Sequence, residues 1–417
     1  MSEAVVRDST AQPRLDDIDV SDPRLYEEDT WGPVFARLRK EDPVHYCANS
    51  PFGAYWSVTK FKDIMHVDMN HDIFSSEPTI VIGDQSADFS IDNFIQMDPP
   101  RHDRQRRAVQ PTVAPRNLAQ LEVVIRTRAA EILDALPIGA TFDWVDRVSI
   151  ELTTQMLAVL FDFPFEERRK LTYWSDLSTA DPKTTGMDAY SKEERESGLM
   201  DCLRVFTELF HERAKNPPGQ NLDFVTMLAQ SADTKDMTTR PMEFLGNIML
   251  LIVGGNDTTR NSISGGILAL NEFPNEYAKL RANPALIPTM VSEMVRWQSP
   301  VIHMRRTVLQ DTVLGGKQIK KGEKVVMWYL SGNRDGDAVE RPDEFIIDRP
   351  AARQHVAFGF GVHRCMGNRM AEMQLRVLFE EVVKRFDNVE LVGEVERLRS
   401  NFIRGITKLP VRLHARR

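Results

Sequence analysis

The chain holds 417 residues, 42% of them apolar, enough to build a core that encloses a bulky ligand. Its formal charge of −8 argues against nucleic acid as the main partner. Cys47, Cys202 and Cys365 are its only cysteines, far apart and without a CxxC spacing. That excludes a disulfide framework and a zinc site, and fits a reducing, cytoplasmic setting.

In chain order, residues 1–20 are polar and charged, without an apolar h-region. They are expected to form a flexible tail ahead of a single domain over 21–417. A short strand is expected at 54–58. Asp98-Pro99-Pro100 predicts a helix start, with the Asp98 carboxylate as cap and proline in the first turn. On that helix His102 and Arg106 share a face at i, i+4, while Arg101, Arg104 and Arg107 fall on the opposite one. Further helices are expected over 116–136, 148–161 and 193–214, with proline or Pro-Gly stop signals after each.

Residues 241–273 predict one long helix, close to ~50 Å at ~1.5 Å per residue. Its middle, 248–253, is apolar on all sides, the pattern of a buried central helix. Gly254-Gly255 interrupts this helix, and Asn256-Asp257-Thr258-Thr259 puts polar groups in a buried setting where they need partners or a task. Close helix packing at the glycines and back-bonding by the threonines is one account of the cluster. The longest apolar run, 244–253, is well short of the ~20 residues that cross a bilayer, so no stable membrane insertion is expected. Short strands are expected within 312–330 and near 409–413. The sum is a mainly α (α+β) chain with small antiparallel sheets to one side.

The most informative segment is Phe358-Gly359-Phe360-Gly361-Val362-His363-Arg364-Cys365-Met366-Gly367, followed by a helix pattern over 368–384. Two glycines permit a tight turn against a flat ligand. Cys365 then sits just before a helix N-terminus, where free N–H groups and the helix dipole lower a thiol pKa. Phe358 would cover the sulfur. No GK[ST] or GxGxxG phosphate loop is present.

This FGxGxHxC loop resembles the cysteine-ligand signature of the cytochrome P450 superfamily, and the resemblance runs from about residue 22 onward. It implies haem b between the long oxygen-side helix and the cysteine-ligand helix, with Cys365 as axial thiolate to the iron and Gly367 and Phe358 beside it. Asp257 and Thr258 resemble the acid–alcohol pair that relays protons to oxygen. Glu293 and Arg296, at i and i+3, match the ExxR motif, with Arg349 as third member of a structural lock. His102, Arg106, Arg306 and His363 match propionate contacts, and His355 is a weaker candidate.

The resemblance implies a monooxygenase that takes dioxygen and a small apolar substrate. No flavin or iron–sulfur segment is present, so a separate ferredoxin and ferredoxin reductase are expected, with the basic stripe of Arg101, Arg104, Arg107, Arg364 and Arg369 as docking face. The chain is expected to act as a monomer. Residues 251–262 resemble the bacterial branch that hydroxylates terminal carbons of medium-chain alkanes and fatty acids, while terpene and steroid branches share part of the pattern. Expected pocket liners are Val81, Ile82, Phe94, Met97, Val253, Gly254, Val301, Ile302 and Ile403, with Ile80, Ile95 and Phe402 beside them. A haem-thiolate sensor without turnover, or a peroxide-using enzyme, remains an alternative of another class.

Overall fold

The computed structural model describes residues 14–84, 91–179, 190–217, 219 and 221–415. The strands in chain order are β1 (Val44–Cys47), β2 (Tyr55–Val58), β3 (Phe74–Ser75), β4 (Thr141–Asp143), β5 (His303–Val308), β6 (Thr312–Leu314), β7 (Lys317–Ile319), β8 (Lys324–Trp328), β9 (Phe386–Leu391), β10 (Glu396–Arg397), β11 (Ile406–Lys408) and β12 (Pro410–Ala415). They form one five-stranded sheet, β1-β2-β8-β5-β3, and three small sheets, β4-β12-β9, β10-β11 and β6-β7. Every pair is antiparallel except β2·β8.

The helices that frame the interior are α1 (Phe61–Met69), α2 (Arg101–Val109), α3 (Pro115–Asp134), α4 (Glu151–Phe161), α5 (Arg169–Thr179), α6 (Lys192–Arg213), α7 (Pro241–Glu272), α8 (Ile287–Gln298) and α9 (Asn368–Arg385). The long α7 crosses the helical core and packs on α4, α5, α6, α8 and α9. Its all-round apolar middle needs exactly such neighbours on every side. Two smaller apolar clusters fill the two sides of the five-stranded sheet. No helix among the described residues is long and apolar enough to cross a membrane.

Three expectations need correction. The Gly254-Gly255 pair does not interrupt α7, which stays helical throughout. A Cβ on Gly255 would lie 2.8 Å from Leu157 Cδ2, so that glycine lets α4 approach. A Cβ on Gly254 would meet nothing within 4 Å, so that one faces open space. Asp98 does not cap α2. Its carboxylate instead accepts from Ser75 Oγ and from the Ser76 N–H (3.0 Å), fixing the end of β3. Finally, residues 14–20 are not a loose tail: Ile18 and Val20 are buried, and Tyr26 donates its hydroxyl to Val20 O (2.7 Å). Residues 1–13 lie outside the described residues.

Strand β5 escaped the sequence pattern because buried positions on both of its faces carry polar residues, His303 and Arg305 on one and Arg306 on the other. Polar residues inside a strand hide the alternation that marks one. His303 is fully buried; the Ile82 N–H donates to its Nε2 (3.1 Å), which leaves Nδ1–H to donate to Asn401 O (2.8 Å). Burial pushes its pKa down from the usual 6.5 to about 4. A depressed histidine adds stability above its unfolded pKa, and the contribution fades as pH falls from 6.5 towards 4. The full difference is worth ~3 kcal/mol. Denaturant unfolding of wild type and His303→Gln at pH 7 and pH 4.5 should show a steeper loss for wild type. Parallel losses would show that His303 is not the group responsible.

Candidate active site

The FG loop reaches its shape through two left-handed glycines, Gly359 (φ 65°) and Gly361 (φ 64°). A Cβ on Gly361 would sit 2.2 Å from Asp68 O, so only glycine lets this loop lie on α1. The loop then closes through the Cys365 N–H, which donates to Phe358 O (2.8 Å). Cys365 is accessible from the cavity above it and enclosed by protein elsewhere. Burial pushes its thiol pKa up, opposed by hydrogen bonds from the Gly367 and Asn368 amides and by the charges of Arg106 and Arg364.

The cavity holds about 760 Å³. Cys365, Met366, Gly367 and Phe358 border one side; Gly254, Gly255, Thr258 and Thr259 of α7 border another. Arg106, Arg306 and His363 also line it. His102 stands directly behind, 1% exposed, its ring 4.4 Å from that of His363. Among the described residues His102 Nε2 and His363 Nδ1 are buried without a hydrogen-bond partner. Burial, together with Arg306, His102 and Arg106, pushes His363 down to about 2. A cluster of this kind needs anions, and the two carboxylates of a haem supply them. The residues present fit the cofactor: cationic donors for its propionates, a thiol with amide support for its iron.

Asp68 on α1 was not anticipated. It is buried and accepts from Arg306 Nη2 (2.9 Å), Tyr329 OH (2.9 Å) and the Phe360 N–H (3.0 Å). It thus aims Arg306 and pins the FG loop together. The available signal was a carboxylate on the same helical stripe as Phe61 and Ile64. Ser76, likewise unanticipated, holds His363 Nε2 through its hydroxyl (2.9 Å).

On the opposite wall Thr258 Oγ1 donates to Gly254 O (2.8 Å). Asp257 is fully buried and does not line the cavity. Its carboxylate is held by Arg260 Nη2 (2.6 Å) and Ser175 Oγ (3.0 Å). Burial pushes the Asp257 pKa up, Arg260 opposing and Asp176 reinforcing.

Of the expected pocket residues, Val81, Phe94, Val253, Gly254, Val301 and Ile403 line the cavity, as do Ile80, Ile95 and Phe402. Ile82, Met97 and Ile302 do not. Ile82 and Ile302 belong to the apolar cluster under the sheet, Met97 to the helical core. Ile302 follows Val301 directly before strand β5, and successive side chains of extended backbone point to opposite faces, so only Val301 reaches the cavity. His355 is not on this cavity either; it packs on Phe358, rings 5.4 Å apart. Arg101 pairs with Glu243 (2.7 Å) while staying exposed, as are Arg104, Arg107, Arg364 and Arg369.

The Glu293 carboxylate receives Arg296 Nε and Nη2 (both 2.8 Å), Arg349 Nε (3.0 Å) and Nη2 (3.1 Å), and the Ile346 N–H (2.9 Å). Arg296 Nη1 continues to Asn333 O and Pro342 O, both 2.8 Å. Burial alone would raise the Glu293 pKa, but the two guanidiniums hold it below the usual range.

Residues 187–413, more than half of the chain, match the family model described as Cytochrome P450. The chain is 37% identical over 407 residues to linalool 8-monooxygenase from Pseudomonas putida, covering 94% of this chain and 98% of that one. It is 33% identical to steroid C26-monooxygenase from Mycobacterium tuberculosis (strain ATCC 25618 / H37Rv), covering 97% and 94%. The structure of cytochrome P450-153 from Novosphingobium aromaticivorans superposes with a TM-score of 0.87 at 44% identity, covering 95% of this chain and 99% of that one. The chain belongs to the cytochrome P450 family, and it is a monooxygenase of that family, using haem b with an axial cysteine thiolate.

Removing one partner of a buried ion cluster leaves the others uncompensated, at a cost of ~3–5 kcal/mol. Glu293→Gln is therefore expected to lose that much in denaturant unfolding at pH 7. A loss under ~1 kcal/mol, the range of an exposed pair, would contradict the arrangement described.

Proposed function

We propose that Cys365 is the axial ligand and that the enzyme hydroxylates the terminal carbon of a medium-chain alkane or fatty acid, with electrons from a ferredoxin. One observation carries the reading: a single cavity joins the amide-supported Cys365 thiol, the Arg306 and Arg106 guanidiniums and the His363 imidazole to Gly254 and Thr258 on α7. Cys47 and Cys202 are buried away from it.

When bound, haem supplies the activation of dioxygen that oxidises a C–H bond. Cys365 sulfur donates electron density, tuned by the Gly367 and Asn368 amides. Gly254 leaves room above it. Thr258 presents its hydroxyl to the cavity, and Asp257, one residue away behind the wall, holds a proton more readily than a surface carboxyl because it is buried. To act in the relay Asp257 must exchange its contacts with Arg260 and Ser175 for a proton taken up from solvent; it would then pass that proton to Thr258 Oγ as the Thr258 hydroxyl gives its own into the cavity, leaving Asp257 ionised and paired again. The apolar walls from Val81, Phe94, Val253, Val301 and Ile403 exclude water and suit a hydrocarbon. Arg104, Arg107, Arg364 and Arg369 give an acidic ferredoxin a basic face to dock on.

The linear substrate is supported by the likeness of residues 251–262 to the alkane and fatty-acid branch and by a relative, 31% identical over 402 residues, named methyl-branched lipid omega-hydroxylase. A terpene is the second reading, favoured by the linalool-oxidising relative. Cys365→Ser should abolish the absorption band characteristic of the thiolate-ligated ferrous carbon monoxide complex; a persisting band would overturn the ligand assignment. Spin-state shifts in wild type should appear with n-alkanes or fatty acids. Shifts with terpenes or steroids alone would replace the linear-chain reading.

Thr258→Ala should slow product formation on the order of 100-fold when proton delivery limits turnover, and with it lower the product formed per electron consumed. Asp257→Asn should slow the same step. Wild-type coupling in both variants would remove them from proton delivery.

A further inference from the structure

Between α7 and the cavity wall formed by residues 91–96 lies a buried polar cluster that none of these roles uses. Asn247 on α7 is fully buried. Its Oδ1 accepts the backbone N–H of Phe94 (3.0 Å), the first residue of the short turn Phe94–Gln96. Its Nδ2 donates to Gln105 Oε1 (2.9 Å) and to Glu243 O (2.9 Å). Gln105 Nε2 donates in turn to Glu243 Oε1 (2.8 Å), and Arg101 Nη2 to Glu243 Oε2 (2.7 Å).

One residue earlier, a Cβ on Gly246 would lie 2.0 Å from Asp92 O and 2.8 Å from Ile91 Cγ2. Backbone cannot yield as a side-chain tip can, so residues 91–92 rest on α7 only because position 246 is glycine. The segment so held carries Ile91, Phe94 and Ile95, all on the cavity surface. Gln105 and Arg101 sit on α2, the helix of His102 and Arg106. The substrate wall and the haem rim therefore hang on one hydrogen-bonded cluster.

We propose that Asn247 and Gly246 are positioning residues for regioselectivity. Together they set how far the Phe94–Ile95 wall reaches over the cavity, and thereby which carbon of an apolar substrate is presented for oxidation. A merely structural asparagine would lower stability and leave the ratio of products alone; a positioning one moves that ratio.

The test uses the holoenzyme variants Asn247→Ala, Gly246→Ala, Phe94→Ala and the Asn247→Ala/Phe94→Ala double variant. Each is first checked for an intact thiolate carbon monoxide band. The readout is the ratio of hydroxylated positions on whichever of an n-alkane, a fatty acid or a terpene alcohol the wild type oxidises. A failure of the linear-chain reading therefore leaves this test standing. Asn247→Ala and Gly246→Ala should each shift the ratio about fivefold or more, the size of a coupling between touching groups. Because Asn247 acts through the wall, the double variant should shift it no further than Phe94→Ala alone. If Asn247→Ala does not hold haem, the Gly246→Ala/Phe94→Ala double variant decides in its place: Gly246 also borders the cavity, so only a double-variant shift no larger than that of Phe94→Ala supports action through the wall. A wild-type ratio in the variants that hold haem, or strictly additive shifts in the double variant, would overturn the proposal.

Discussion

A thiol enclosed by protein can serve as an anionic ligand only where fixed groups replace the solvation that water gives a thiolate. Around Cys365 that stabilisation comes from the Gly367 and Asn368 amides and from the positive charges of Arg106 and Arg364. Both depend on a loop that turns within two residues of glycine and lies on the backbone of Asp68. Asp68 does further work in the same place. Its carboxylate draws together Arg306, Tyr329 and the Phe360 amide, so the group that shapes the loop also aims a cation at the cavity.

The same constraint explains how an acidic chain keeps a cationic cavity rim. Burial and the charges of Arg106 and Arg306 hold His102 and His363 neutral, and the orphaned nitrogens of both histidines mark where a hydrogen-bonding anion belongs. The protein offsets some of this charge itself: Asp68 takes up part of Arg306, and Arg106 Nη2 donates to Arg364 O (2.6 Å). Glu293, Arg296 and Arg349 solve the complementary problem beneath, where every charged atom meets an opposite charge or a carbonyl. Such a cluster adds little net stability over an apolar one, but it tolerates only one geometry of the chain it joins.

What the sequence made legible follows the kind of signal each residue carries. The long α7, the helix after Cys365 and strand β2 announce themselves through periodicity, and the cysteine loop through its spacing of glycines. Strand β5 is illegible because buried arginines and a neutral histidine stand where apolar residues mark a strand. Ile82, Met97 and Ile302 were misplaced for a simpler reason: an apolar side chain beside a cavity can equally fill the packed cluster behind its wall, and the residue type alone does not say which. Asp68, Ser76 and Asn247 act through partners tens to hundreds of residues away, and no local window contains that information.

The three glycines of the first two-thirds of α7 show what such a helix is asked to do. Each costs ~1 kcal/mol of helix propensity against alanine, yet the helix runs unbroken because tertiary burial outweighs propensity. Eight and nine residues separate Gly246 from Gly254 and Gly255, and at ~3.6 residues per turn these point in three directions. Gly246 admits the backbone of the substrate wall, Gly254 opens onto the cavity, and Gly255 admits Leu157 of α4. A side chain at any one of them would act on a different partner. The helix that carries Thr258 therefore also borders the substrate wall, the open cavity and the core packed behind it, each through its own glycine.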